Sequence, residues 1–277
     1  MPDLQVLLND VKGQNVPAMV LAAGRGERMR PLTDATPKPL LKVQGKALLQ
    51  WHLEALAKAG CPKVVLNTAW LGEQIEQTLG REFVLNSNKH GAEYGNTIKI
   101  NYSHEGVDFG AALETAGGIA RALPSLCHDL ALQKSKDVFW VLAGDVYMPG
   151  FSFDTKAVKE FKASTKLAHI WLVPNPEHNR KGDFGLGLNG LALNLPEDNT
   201  LPRYTYSTVG LYRKALFELP WCDIAYGNPE GVKAALAPIL RAAMREEQIS
   251  AEIYQGEWTD VGTPERLAKL NANHPAG

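Results

Sequence analysis

Residues 18–40 read AMVLAAGRGERMRPLTDATPKPL. The stretch opens as a short apolar run, breaks into a turn built on Gly24 and Gly26, and carries Arg25, Arg28 and Arg30 in and just after that turn. A turn of small residues placed directly after the first strand is where α/β folds put phosphate groups, because their ligands sit at the carboxyl ends of the strands. Gly24 and Gly26 can take backbone angles closed to other residues and let amide N–H groups approach an anion. The three arginines add donors suited to a triphosphate. This is neither a Walker loop, which ends in Gly-Lys-Ser/Thr, nor the dinucleotide fingerprint, whose third glycine is missing. Just downstream, Lys38 stands between Pro37 and Pro39, which fix its backbone from both sides and preorganise one ammonium group.

Outward from this segment, short apolar runs alternate with longer amphipathic ones, the pattern of a mostly parallel sheet covered by helices. A strand over 18–22 leads through a long loop to a helix over 48–59, then a buried parallel strand over 63–67 and a helix over 71–79 closed by Gly80. Residues 86–96 read as a polar surface loop or hairpin before a strand at 98–102. A helix over 115–123, stopped by Pro124, precedes the most apolar strand, 137–143, which ends on Gly144-Asp145. Beyond Phe161 come a strand at 168–173, a Pro/Asn/Gly-rich region at 174–190 and an aromatic stretch at 204–212 that suits antiparallel additions to the sheet. A helix over 232–247, a strand near 251–254 and a helix opening at Pro264 complete the chain. No repeat or linker is visible, so residues 18–277 read as one domain behind an extension at 1–17.

Composition narrows the function classes. Of 277 residues 45% are hydrophobic and 21% charged, with 29 Lys+Arg against 30 Asp+Glu. Such a balance gives no basic excess for nucleic acid. No apolar run reaches the roughly 18 residues of a membrane span. The first residues lack the basic and apolar regions of a signal peptide, which predicts a cytoplasmic protein. Cys61, Cys127 and Cys222 lie far apart, so neither a disulfide framework nor a zinc site is expected, and the histidines show no metal-ligand spacing.

Asp145 ends a strand at the same sheet edge as the glycine turn. A carboxylate beside a triphosphate is repulsive unless a hard cation lies between, which points to Mg²⁺ held by few protein ligands and several phosphate oxygens. Asp260, in EWTDVGTPERL (257–267), reads by local features alone as a turn or cap aspartate. Asn67, at a strand end, fits a base contact and a loop support equally.

Residues 21–40 resemble the signature L-A-[AG]-G-x-G-x-R-[ML]-x-P-L-T, with P-K-P-L following, of the sugar-1-phosphate nucleotidylyltransferases. The resemblance implies a Rossmann-like, mostly parallel sheet flanked by helices, the nucleotide-diphospho-sugar transferase fold. It implies that Leu21, Ala22, Ala23, Gly24, Arg25, Gly26, Glu27, Arg28, Lys38, Asn67 and Gly117 hold the nucleotide, and that Asp145 and Asp260 share Mg²⁺ with it. The sugar phosphate would attack the α-phosphorus in line and displace pyrophosphate, with Arg28, Lys38 and Asp145 as the catalytic groups and no covalent intermediate.

The segment ALETAGGI (112–119) departs from the P-L-G-T-A-G common in guanylyl- and thymidylyltransferases: Ala112 replaces the proline and Glu114 the glycine. This glutamate, with LNTAWLG at 66–72, Asn175-Pro176, His178 and Gly182-Asp183-Phe184, is similar to a smaller group, the bacterial N-acetylmuramate α-1-phosphate uridylyltransferases of peptidoglycan recycling. That likeness implies UTP and N-acetylmuramate α-1-phosphate as substrates, Glu114, Asn175 and Asp183 as sugar contacts, and a monomer or homodimer. Mannose-1-phosphate guanylyl transfer, glucose-1-phosphate thymidylyl or uridylyl transfer, and a nucleotide-sugar-sensing regulatory subunit are the alternatives. Lengthened loops at 86–96 and 130–136 depart from the compact family pattern.

Overall fold

The computed structural model describes residues 16–85, 96–127 and 137–272. Residues 1–15, residues 86–95 of the loop expected at 86–96 and the lengthened loop at 130–136 lie outside them. The first strand, β1 (Ala18–Leu21), is followed by three short helical turns (Glu27–Met29, Leu32–Ala35 and Lys38–Leu40) and a small hairpin (Lys42–Val43 with Lys46–Ala47) before α1 (Leu48–Lys58). Then come β2 (Lys63–Thr68), α2 (Gly72–Leu79), β3 (Glu82–Leu85), β4 (Asn96–His104), a short helix at Glu105–Phe109, and α3 (Glu114–Leu126). The second half contributes β5 (Val138–Ala143), α4 (Thr155–Ala163), β6 (Ala168–Val173), β7 (Phe184–Leu186), β8 (Ala192–Leu193), β9 (Arg203–Arg213), α5 (Leu236–Arg245), β10 (Ile249–Ile253) and α6 (Pro264–Ala272).

Ten strands form one sheet in the order β8-β7-β9-β5-β1-β2-β4-β3, with β6 branching from β9 and β10 from β6. The strands β5, β1, β2 and β4 run parallel, and the near-continuous apolar sequences of β5, β1 and β2 suit strands covered on both faces. The aromatic stretch is indeed antiparallel, β9 pairing with β5, β6 and β7. Helix α1 inserts Leu49, Leu53 and Leu56 against one face, with Trp140 and Trp171 nearby. Helices α3 and α5 cover the other through Ile119, Leu123, Leu240 and Ala243. All three cysteines are free and buried. Among the described residues no helix is long and apolar enough to cross a membrane.

Two helix boundaries differ from the sequence reading for identifiable reasons. Helix α3 does not stop at Pro124; it runs to Leu126. A proline lacks only its own N–H, and the last turn is held by burial of Leu126 and by Cys127 N–H donating to the Leu123 carbonyl at 2.7 Å. Helix α5 starts at Leu236 rather than at 232. The segment before it is extended: the Ala234 carbonyl accepts from the amides of Ala116 and Gly117 (2.8 and 3.1 Å), and Ala234 N–H donates to Leu113. These residues supply acceptors to the first turn of α3, whose amides have none within the helix.

Register places the site. Leu21 lies opposite Asn67 on one side and Ala143 on the other, so the carboxyl ends of β1, β2 and β5 are level. The chain leaves β1 toward β2 and returns on the far side as β5. Such a reversal of strand order opens a crevice at the carboxyl edge.

Candidate active site

A cleft of about 240 Å³ lies at this edge. Leu21 to Gly24 form its floor, Lys38 and Asp145 one wall, and Ala112, Glu114 and Thr115 the other, with Asn67 between. Gly26 has φ +67°, a left-handed conformation that suits glycine, and a Cβ there would press on the Lys38 stem at 3.2 Å. A Cβ on Gly24 would meet no protein atom within 4 Å. Gly26 therefore packs Lys38, and Gly24 leaves room on the cleft side.

Lys38 is almost buried, and its Nζ lies 2.5 Å from Asp145 Oδ2. Gly144 brings the aspartate close, since its N–H donates to the Leu21 carbonyl at 2.8 Å and a Cβ would crowd Leu21, Val20 and Leu49. Asp260 arrives from the far end of the chain. Thr259–Asp260 pairs antiparallel with Val146–Tyr147, and Val261 N–H donates to the Asp145 carbonyl at 3.0 Å. The Asp260 carboxylate is engaged by Arg266 Nη1 at 2.8 Å and lies 3.6 Å from His178 Nε2. Burial and the charges of Arg266 and Arg28 hold the His178 imidazole below its usual pKa, against the pull of Asp260. Arg28 itself is exposed.

Two carboxylates on adjacent backbones are hard oxygen donors of the kind Mg²⁺ takes, and they are too few to complete its sphere without phosphate or water. Among the described residues no group of three or more His, Cys, Asp or Glu side chains could hold a metal. The donor set therefore fits a cation that arrives with a phosphate ligand.

Other expected residues are placed differently. Arg25 stacks over Trp70, its guanidinium carbon 3.8 Å from the ring centroid, and Glu27 is exposed 3.7 Å from Arg25. Arg30 pairs with Asp34 at the surface rather than turning to the cleft. Gly117 is buried in α3, its carbonyl accepts from Asn228 Nδ2, and a Cβ would lie 2.3 Å from the Val232 carbonyl oxygen. Its missing side chain admits the 232–234 segment. Asn175 and Asp183 are also engaged by protein groups. Asn175 donates to the Arg203 carbonyl (2.9 Å) and accepts from Thr205 Oγ1 (3.0 Å), while Asp183 accepts from Tyr206 N–H (2.8 Å) and from Asn179 (3.2 Å). Both tie the 174–183 loop to β9.

Glu114 does line it. This exposed first residue of α3 has φ +58°. That is the left-handed region, so the glycine of the related pattern answers a backbone requirement, and Glu114 keeps the conformation under strain. Thr208, which sequence reasoning missed, is similarly strained at φ +67° in a bulge of β9. The bulge is tied to the acidic segment by Trp258 Nε1 donating to the Ser207 carbonyl at 3.1 Å.

Asn67 supports the loop and also lines the cleft. Its Oδ1 accepts from Ala22 N–H at 2.7 Å and its Nδ2 donates to Glu105 Oε1 at 2.8 Å. Glu105, also missed, is fully buried; burial raises its pKa, opposed by the N–H donors of Leu113 and Asn67.

Fold and cleft together define a phosphate-handling α/β protein with a lysine and paired acidic residues at the switch point of a mostly parallel sheet. The family model described as nucleotidyl transferase matches residues 17–276, and the chain belongs to that family. It is 42% identical over 92% of its length to the N-acetylmuramate alpha-1-phosphate uridylyltransferase of Neisseria meningitidis serogroup B, covering 96% of that protein. It is 29% identical over 92% of its length to the Drosophila melanogaster mannose-1-phosphate guanylyltransferase catalytic subunit beta, covering 62% of that chain. Among solved structures, the inositol-1-phosphate CTP transferase of T. maritima superposes with a TM-score of 0.60 at 16% identity, covering 94% of this chain and 98% of that one. That likeness carries the fold.

Proposed function

We propose that the protein transfers the uridylyl group of UTP to N-acetylmuramate α-1-phosphate, releasing pyrophosphate and forming UDP-N-acetylmuramate, a step of peptidoglycan recycling. The observation that carries this reading is the 42% identity, end to end, with a relative of that named activity. Glu114 at the rim supports it, being the residue that departs from the guanylyl- and thymidylyl-type pattern.

In the reaction an oxygen of the sugar phosphate forms a bond to the α-phosphorus while the bond from that phosphorus to the bridging oxygen breaks, and the electron pair leaves with pyrophosphate. The 23–24 turn would offer backbone amides to the phosphates, Ala22 N–H being taken by Asn67. Lys38 is placed by Gly26 and the flanking prolines to donate to a phosphate oxygen, and Arg28 would add charge for the phosphates. Asp145 and Asp260 would hold Mg²⁺, which supplies charge neutralisation across the reacting phosphates. The attacking oxygen is ionised near neutral pH, so no side chain need take a proton from it.

The test is a matrix of UTP, GTP, CTP and dTTP against muramate, glucosamine, glucose and mannose 1-phosphates, read by pyrophosphate release with Mg²⁺. UTP with N-acetylmuramate α-1-phosphate is the expected best pair. A better rate with GTP and mannose 1-phosphate would replace this reading by that of the guanylyltransferase relative, and no turnover with any pair would favour a regulatory binder.

A further inference from the structure

Glu105 is the one acidic side chain that is fully buried among the described residues. Filling a core with a carboxylate is costly, and apolar packing would serve better if filling were its only task. Its two oxygens accept from different elements: Oε1 from Asn67 Nδ2 (2.8 Å) and Oε2 from Leu113 N–H (2.7 Å). Asn67 Oδ1 in turn accepts from Ala22 N–H (2.7 Å). The chain therefore runs from an amide in the floor of the cleft to the amide just before Glu114 and Thr115, which line the opposite wall. Gly118 makes room for it, since a Cβ there would come within 2.6 Å of Glu105 Oε1 and 3.1 Å of Asn67 Nδ2.

We propose that Asn67 and Glu105 are positioning residues whose hydrogen-bond relay fixes the 22–24 turn relative to the start of α3 and so sets the aperture that receives the nucleotide. This rests on the reading of 22–24 as the nucleotide turn. Both ends of the relay are N–H donors, so an amide side chain and a carboxylate between them satisfy every group, whereas two amides do not. In Glu105→Gln, either orientation of the new amide leaves two donors facing each other. In Asn67→Asp, two carboxylates face each other. In the double variant the carboxylate and the amide exchange places, and all three bonds are restored.

The experiment compares wild type, Glu105→Gln, Asn67→Asp and the double variant, each as the full chain. Amide exchange of residues 22–24 and 113–115 is measured without ligand, and KM for UTP and kcat are measured with Mg²⁺. Each single variant is expected to speed exchange on both sides of the cleft and to raise KM for UTP about tenfold with a smaller change in kcat; the double variant returns both to within about threefold of wild type. Gly118→Ala, which crowds the carboxylate without altering a hydrogen-bonding atom, should also raise KM and serves where a single variant does not fold. A double variant no better than the worse single, exchange altered on one side alone, or a Gly118→Ala enzyme with wild-type KM overturns the relay. Failure of wild type to turn over UTP counts against the uridylyl reading instead, because the exchange measurement needs no ligand.

Discussion

Lys38 Nζ lies 2.5 Å from Asp145 Oδ2, so the lysine that the flanking prolines preorganise sits on the carboxylate facing the cleft. Arg266 does the same for Asp260. Each proposed metal ligand thus carries a cation of the protein's own, which competes electrostatically with a free divalent ion. A triphosphate changes the balance, because its oxygens give Lys38 another acceptor. Lys38→Met is therefore expected to tighten Mn²⁺ binding to the nucleotide-free protein about tenfold while cutting turnover at least about a hundredfold. Titration followed by Mn²⁺ spectroscopy checks the first part; unchanged metal affinity would show that Lys38 does not shield Asp145.

Asp145→Asn separates charge from shape. The amide oxygen still accepts from Lys38, so the fold should lose only about 1 kcal/mol by thermal unfolding. Turnover with Mg²⁺ should fall about a thousandfold. A rate within tenfold of wild type would remove Asp145 from the metal site.

Glu114 lets strain and function be told apart. At an ordinary helical position alanine is more stable than glycine by about 1 kcal/mol. At φ +58° the order should reverse, with Glu114→Gly more stable than Glu114→Ala by about 1 kcal/mol, since only glycine adopts that conformation without penalty. Both variants should raise KM for the sugar phosphate and leave KM for UTP alone. Equal melting temperatures would refute the strain, and a selective loss of UTP affinity would move Glu114 to the nucleotide side.

The parallel sheet and the loop were legible in the sequence because both are local: apolar runs mark β1, β2 and β5, and Gly24, Gly26 and Lys38 fall within fifteen residues of one another. Asp145 was legible because it ends the most apolar strand. What could not be read depends on contacts between distant segments. The packing of residues 232–234 on Gly117 has no mark in the sequence around it. Asn175 and Asp183 look like free polar groups until β9 supplies Arg203, Thr205 and Tyr206. Glu105 has no local signature, since its partners Asn67 and Leu113 come from separate elements, 38 and 8 residues away.

His52 ties acid stability to the turn that carries Asp145. It is buried on α1, hydrogen-bonded to the Val146 backbone, while its Nε2 has no partner among the described residues. Burial lowers its pKa from 6.5 to about 4, opposed by the Val146 bond and the Asp145 charge. Because the folded value is depressed, the unfolded chain takes up the proton first as pH falls. The neutral-histidine contribution is complete above pH 6.5 and is lost progressively down to about pH 4. The span corresponds to about 3 kcal/mol as an upper figure. His52→Leu removes this titration and also the unpartnered nitrogen, at the loss of one hydrogen bond. It should match wild type within about 1 kcal/mol at pH 7.5 and exceed it at pH 5. Denaturant unfolding at the two pH values measures the difference, and a variant whose stability falls between them as steeply as wild type would show that another group is responsible.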